Sequence, residues 1–147
     1  MSDSTDSLAV SLFSEILAVD QMARNRVAKV LPKGMELSHF TVLNHLAHAG
    51  GERSPAQMAR AFHLTRGAMT NTLRKLEWAG WIHIRPDWDD ARRKMVSISP
   101  TGIKARDAAL EMIVPLIVNV VDKAGSDRVR AALPVLRELR KSLAGEQ

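Results

Sequence analysis

The chain has 147 residues, 46% hydrophobic and 25% charged, enough for one soluble domain with its own core. Its formal charge is +5, from 21 Lys and Arg against 16 Asp and Glu, an excess that suits an anionic partner. There are no cysteines, which excludes disulfides, thiolate zinc sites and thiol redox switches.

The first six residues are expected to be a frayed tail. MSDSTDS is polar and acidic and does not read as a secretory signal, so a cytoplasmic protein is expected. From Leu8 to about Leu31 the apolar residues Leu8, Leu12, Ile16 and Val19 fall at helical spacing. Pro32-Lys33-Gly34 ends that helix. Ser38 is placed to cap a second helix reaching about Ala49, with Phe40, Leu43 and Leu46 on its inner face.

Gly50-Gly51 makes a turn, and Ser54-Pro55-Ala56-Gln57 then has the pattern of a capping box with proline at the first helical position. Met58, Ala59 and Phe62 form the buried side of this short helix. After the His63-Leu64 turn, Thr65 caps the next helix, in which Met69, Leu73 and Leu76 face the core. Its other face presents Arg66, Thr70, Asn71 and Arg74, with Lys75 flanking, and Gly80 stops it.

Ile82, Ile84, Val96 and Ile98 alternate with period two and predict two strands, joined by a loop from Pro86 to Arg93. A long helix follows from Ser99-Pro100-Thr101-Gly102 to about Lys123. Its middle, Met112–Val121, is apolar all round and so predicts burial. That run is too short to span a bilayer and contains Pro115 and Asn119, so no membrane partner is expected. Pro115 should kink the helix. Ser126 caps a last helix to about Leu143, with Val129, Leu133, Leu136, Leu139 and Leu143 as its stripe.

Two short helices, a tight turn and a basic hairpin define a winged helix-turn-helix, within a fold that is mainly α with a small β wing. One domain over residues 1–147 is predicted, with a DNA-binding lobe at 33–100 and dimerisation helices at 7–31 and 101–145. Nine basic and five acidic side chains lie between His39 and Pro100, so four of the five net positive charges sit in that lobe. The terminal helices have nowhere to pack within the lobe, which predicts a homodimer. Two-fold symmetry would place two reading helices on one side, matched to a pseudo-palindromic duplex with half-sites about 10 bp apart.

In the reading helix, Asn71 and Arg74 have the chemistry to read adenine and guanine, with Thr70 beside them. Arg66, Lys75 and the capping residues Ser54 and Gln57 are candidates for phosphate contacts, as is the helix start at Thr65. Arg92 is the candidate for minor-groove insertion, with Arg93 beside it, and Asp90 would brace an arginine by ion pairing. Trp88 is expected to pack against the base of the wing.

LSHFTVLNHL, SPAQMARAFHLTRGAMTNTLRKLEWAGWI and RPDWDDARRKMVSISPTG together resemble the MarR (multiple antibiotic resistance regulator) family of bacterial transcription factors. Asp90-Ala91-Arg92 looks like the family's Asp-x-Arg wing signature, and Val96–Gly102 like its closing stretch. The resemblance implies a dimeric winged-helix regulator, often a repressor, released from double-stranded DNA by a small aromatic ligand. It also implies that Thr65–Ala79 enters the major groove and the wing the adjacent minor groove. The chain departs from the family at Ile84, where many members carry arginine, and at Trp88.

Met22, Met35, Phe13, Phe40, Trp81 and Met112 read as interior residues that could line an effector pocket. Five histidines stand at positions 39, 45, 48, 63 and 83; His45 and His48 share a helix face, which leaves a metal-sensing regulator as an alternative. No nucleophile and base are paired in the sequence, so no enzyme and no cofactor are expected. A winged-helix module that binds protein alone is the other alternative.

Overall fold

A computed structural model describes residues 3–145. Six helices and one hairpin follow in order: α1 (Asp3–Val30), α2 (Leu37–Ala49), α3 (Pro55–Ala61), α4 (Arg66–Trp78), β1 (Ile82–Pro86), β2 (Lys94–Ile98), α5 (Pro100–Ala124) and α6 (Ser126–Leu143). The chain divides into two compact units that part after Leu110, within α5.

In the first unit, α2, α3 and α4 bury their apolar stripes on one another and on the hairpin. Leu43, Leu46, Met58, Met69, Leu76 and Val96 are the largest fully buried side chains. Each contributes about 1.5–3 kcal/mol by leaving water. Strands β1 and β2 pair antiparallel, Ile82 opposite Ile98 and Ile84 opposite Val96. Pro86 pairs with Lys94, so the loop is one residue shorter than expected and runs from Asp87 to Arg93.

A third segment pins the hairpin to the helices. Arg53 and Val96 exchange backbone hydrogen bonds of 2.9 and 2.7 Å. The stretch between α2 and α3 thereby acts as a short third strand, and it fixes where the wing stands relative to α3.

Helix starts follow local chemistry. Ser54 and Gln57 form the expected reciprocal box: the Gln57 N–H donates to Ser54 Oγ at 3.2 Å, and the Ser54 N–H to Gln57 Oε1 at 2.8 Å. Thr65 Oγ1 accepts from the Ala68 N–H at 3.1 Å. At α2 the cap is Glu36 rather than Ser38. The Glu36 N–H donates to His39 Nδ1 at 3.1 Å, an imidazole in the place a Glu or Gln side chain takes in a capping box. Ser38 is then an exposed residue of the first turn.

Other expectations are corrected. Asp3–Asp6 are helical rather than frayed, with Asp3 and Asp6 in the first turn, where the helix dipole favours acids; residues 1 and 2 of the expected tail lie outside the described residues. Gly125, at φ 100°, precedes α6 in place of a Ser126 cap, because the turn needs a backbone angle that favours glycine. Phe62 is the C-cap of α3 and only half-buried, with its ring edge-on to His45.

The middle of α5 is not enclosed. Met112, Val114, Ile117, Val118 and Val120 are all exposed, as is Met22 of α1, so Met22 and Met112 are not interior residues of the single chain. An all-round apolar helix shows that it needs cover, and not that its own chain supplies it. Pro115 and Pro134 lie inside continuous helices.

Candidate nucleic-acid interface

A groove of about 740 Å³ runs between α3, α4 and the wing. Arg60, Arg66, Arg74, Arg92, Arg93 and Lys94 line it, with Ser54, Gln57, Thr70 and one carboxylate, Glu77. Six cations against one anion on a concave wall concentrate positive potential where a phosphate backbone would run.

Helix α4 sets the geometry. Met69, Leu73 and Leu76 are buried, and this turns Arg66, Thr70, Asn71, Arg74 and Lys75 to solvent. Of these, Arg66, Thr70 and Arg74 stand on the groove wall. Asn71 and Lys75 lie further round the helix, on its outer side, and are not part of the groove lining. Thr65 is exposed and spends its hydroxyl on the cap. Ser54 is buried and its hydroxyl caps α3, whereas Gln57 is exposed.

The wing is braced at two points. Asp90 accepts from Arg92 Nε at 3.1 Å and from the Arg92 N–H at 3.0 Å. Those two donors hold the Asp90 carboxyl below the usual carboxylate range. The Arg92 side chain stays 91% exposed while paired, so it is oriented without being withdrawn. At the other point Arg85 of β1 pairs with Glu52, from the segment before α3, and its guanidinium stands 4.5 Å from the centre of the Trp88 ring. Trp88 is otherwise exposed, so it lies under Arg85 instead of packing into the wing base.

Sequence reasoning did not single out Arg60, Lys94, Glu77 or Trp78. Arg60 falls three residues after Gln57, opposite the buried Met58 and Ala59, a spacing that could have marked it. Lys94 belongs to the same basic run as Arg92 and Arg93. Glu77 carried no signal, because an acid on a basic face has no period of its own. Trp78 ends α4 beyond the Met69–Leu73–Leu76 stripe and is 93% exposed.

His45 and His48 do not converge on a ligand. His48 Nδ1 bonds the Asn44 carbonyl at 2.8 Å and His45 meets Phe62. Among the described residues no group of three or more His, Cys, Asp or Glu is placed to hold a metal ion. No helix of the described residues is long and apolar enough to cross a membrane.

Two recognition-type helices, a capped turn between them and a braced basic hairpin define a winged helix-turn-helix protein. The profile described as MarR family matches residues 33–93. The HTH-type transcriptional repressor Rv2887 of Mycobacterium tuberculosis is 33% identical over 116 residues, covering 79% of this chain and 78% of its own. The chain belongs to the MarR family of transcriptional regulators. The same fold is found in a mutant MarR from E. coli complexed with operator DNA, at TM-score 0.79 and 20% identity over 94% of this chain and 99% of that one. It is found as well in the transcriptional regulator BldR from Sulfolobus solfataricus, at TM-score 0.74 and 21% identity over 94% and 99%.

Proposed function

We propose that this protein is a cytoplasmic, homodimeric repressor that binds a pseudo-palindromic operator and acts by binding, with no catalysis. The observation that carries the reading is the groove of six cations between α3, α4 and the wing. Affinity would come mainly from neutralised phosphates and would fall steeply with salt. Arg74 and Asn71 would read bases, and Arg92, held by Asp90, would probe the minor groove. That the mycobacterial relative is named a repressor, and that a MarR of the same fold was crystallised on operator DNA, supports this choice.

Dimerisation is supported by the apolar side chains left in water. Leu8, Val10, Leu17, Val19 and Met22 of α1, and Met112, Val114, Ile117 and Val120 of α5, are exposed in the single chain. Apolar side chains exposed in such number on one helix mark a protein interface, and a two-fold partner would cover each of these helices with its own copy. Release by a small aromatic effector belongs to the same proposal. The effector would act by binding one spacing of the two reading helices better than another.

Selection of bound sites from a random duplex library at fixed salt tests the reading. An enriched palindrome with half-sites about one helical turn apart supports it. Binding without enrichment, or none, overturns it. Displacement of the selected duplex by a panel of small aromatic acids then tests the effector.

A further inference from the structure

Among the described residues Trp78 is the most exposed large apolar side chain, at 93%. It is the last residue of α4, and it lies seven positions after Asn71 and three after Lys75. That spacing puts Asn71, Lys75 and Trp78 on one stripe of the helix, turned away from the Met69–Leu73–Leu76 core. Gly67, four residues before Asn71, continues the stripe, and a Cβ built there meets nothing within 4 Å. The outer face of α4 is thus smooth at its start, polar in its middle and aromatic at its end. Nothing among the described residues explains an indole held in water beside Arg74 and Lys75.

We propose that Trp78 packs on the C5-methyl group of a thymine near the edge of each operator half-site. This rests on the proposed reading of duplex DNA by α4. Length supports it: Arg66 to Trp78 spans roughly 18 Å along the axis, more than the ~12 Å width of the major groove. A helix laid in the groove by its outer face brings Trp78 to the far wall. The basic side chains flanking the indole, Arg74 and Lys75, suit that polyanionic wall, while the acid Glu77 is turned into the groove beside the wing. The one apolar group that B-DNA offers in its major groove is the thymine methyl. An indole presents a broad apolar face and a single N–H donor, so it reads that methyl and cannot pair with a base edge bidentately.

The test is a uracil scan of the duplex selected by the wild-type chain. Each thymine is replaced singly by uracil, which removes only the methyl. One position per half-site should weaken wild-type binding by roughly fourfold, the worth of one buried methyl. Trp78→Ala should bind the thymine duplex that much more weakly and make no distinction between thymine and uracil there. Trp78→Phe, which keeps an apolar ring, should retain part of the distinction. If the wild-type chain selects no site, this inference falls together with the proposed function. If it selects a site but no thymine shows a Trp78-dependent loss, this inference alone falls. A Trp78→Ala protein that binds the duplex normally but loses a higher-order assembly in sedimentation would assign the indole to protein contact and overturn the proposal.

Discussion

The carbonyl oxygen of Trp81 occupies the space that a Cβ on Gly102 would need. The start of α5 is thereby pressed onto the turn that leaves α4. Ser99 locks the junction: its N–H donates to the Trp81 carbonyl at 2.9 Å, its hydroxyl donates to the Gly80 carbonyl at 2.7 Å, and the Gly102 N–H donates to that hydroxyl at 2.9 Å. Gly102→Ala should therefore force the helix off the turn. An overpacking cost of about 1–3 kcal/mol is expected, read as a lower urea midpoint with an unchanged slope. Ser99→Ala should cost about as much, because it leaves the buried Gly102 N–H without its partner.

Arg74 and Arg92 should separate under mutation. Arg74→Ala removes a candidate base reader and should relax preference at one position per half-site, at about 1–3 kcal/mol for the lost discrimination. Arg92→Ala should weaken all duplexes and lower the slope of log affinity against log salt by about one. Asp90→Asn should mimic a weaker form of Arg92→Ala, since Arg92 would lose the ion pair that orients it. Affinities measured on selected and scrambled duplexes across a salt series decide this. Equal loss on every sequence for Arg74→Ala would make it a phosphate contact.

The central lobe was legible in the sequence because its signals are local. Ser54-Pro55-Ala56-Gln57 can hardly do anything but cap, and the period of Met69, Leu73 and Leu76 fixes which side of α4 faces out. Less legible were contacts between distant segments. Glu52 reaches Arg85 across 33 residues, and Arg53 joins the sheet through Val96. Neither residue has a period or motif that announces its partner. Ser38 misled because serine is the commoner cap, while Glu36 with His39 does the same work by a rarer pairing. Met112 and its neighbours misled because hydrophobicity states a need for cover without naming what provides it.

His39 makes stability depend on pH. The ring is 8% exposed, its Nδ1 accepts from the Glu36 N–H, and Trp81 stands edge-on at 6.2 Å. Nδ1 is thus unprotonated, and Nε2 carries the proton, buried without a hydrogen-bond partner among the described residues. The Glu36 carboxylate stands 3.7 Å away. Burial lowers the His39 pKa below its ordinary 6.5, an effect that Glu36 opposes and Lys75 adds to. The unfolded chain therefore binds the proton more readily than the folded one. Stability is fully present above pH 6.5 and is lost as pH falls from there through the lower folded pKa. Urea unfolding at about pH 8 and about pH 5.5 should show the decline, and His39→Gln should flatten it. An equal decline in the variant would place the effect on other groups.

Gly67 should show stability and binding moving in opposite directions. It sits in the first turn of α4, on the outer stripe with Asn71 and Trp78, and its surroundings are open. A glycine in a helix costs about 0.5–1 kcal/mol against alanine, and no packing among the described residues requires it here. Gly67→Ala should raise stability by a few tenths of a kcal/mol up to that amount, read as a higher urea midpoint. If DNA approaches the helix backbone at this point, the added methyl meets it. Operator affinity should then fall by about tenfold while the fold becomes firmer. A more stable protein with unchanged affinity would mean that the start of α4 stands off the duplex, and contact would shift toward Arg74 and Trp78 at its other end.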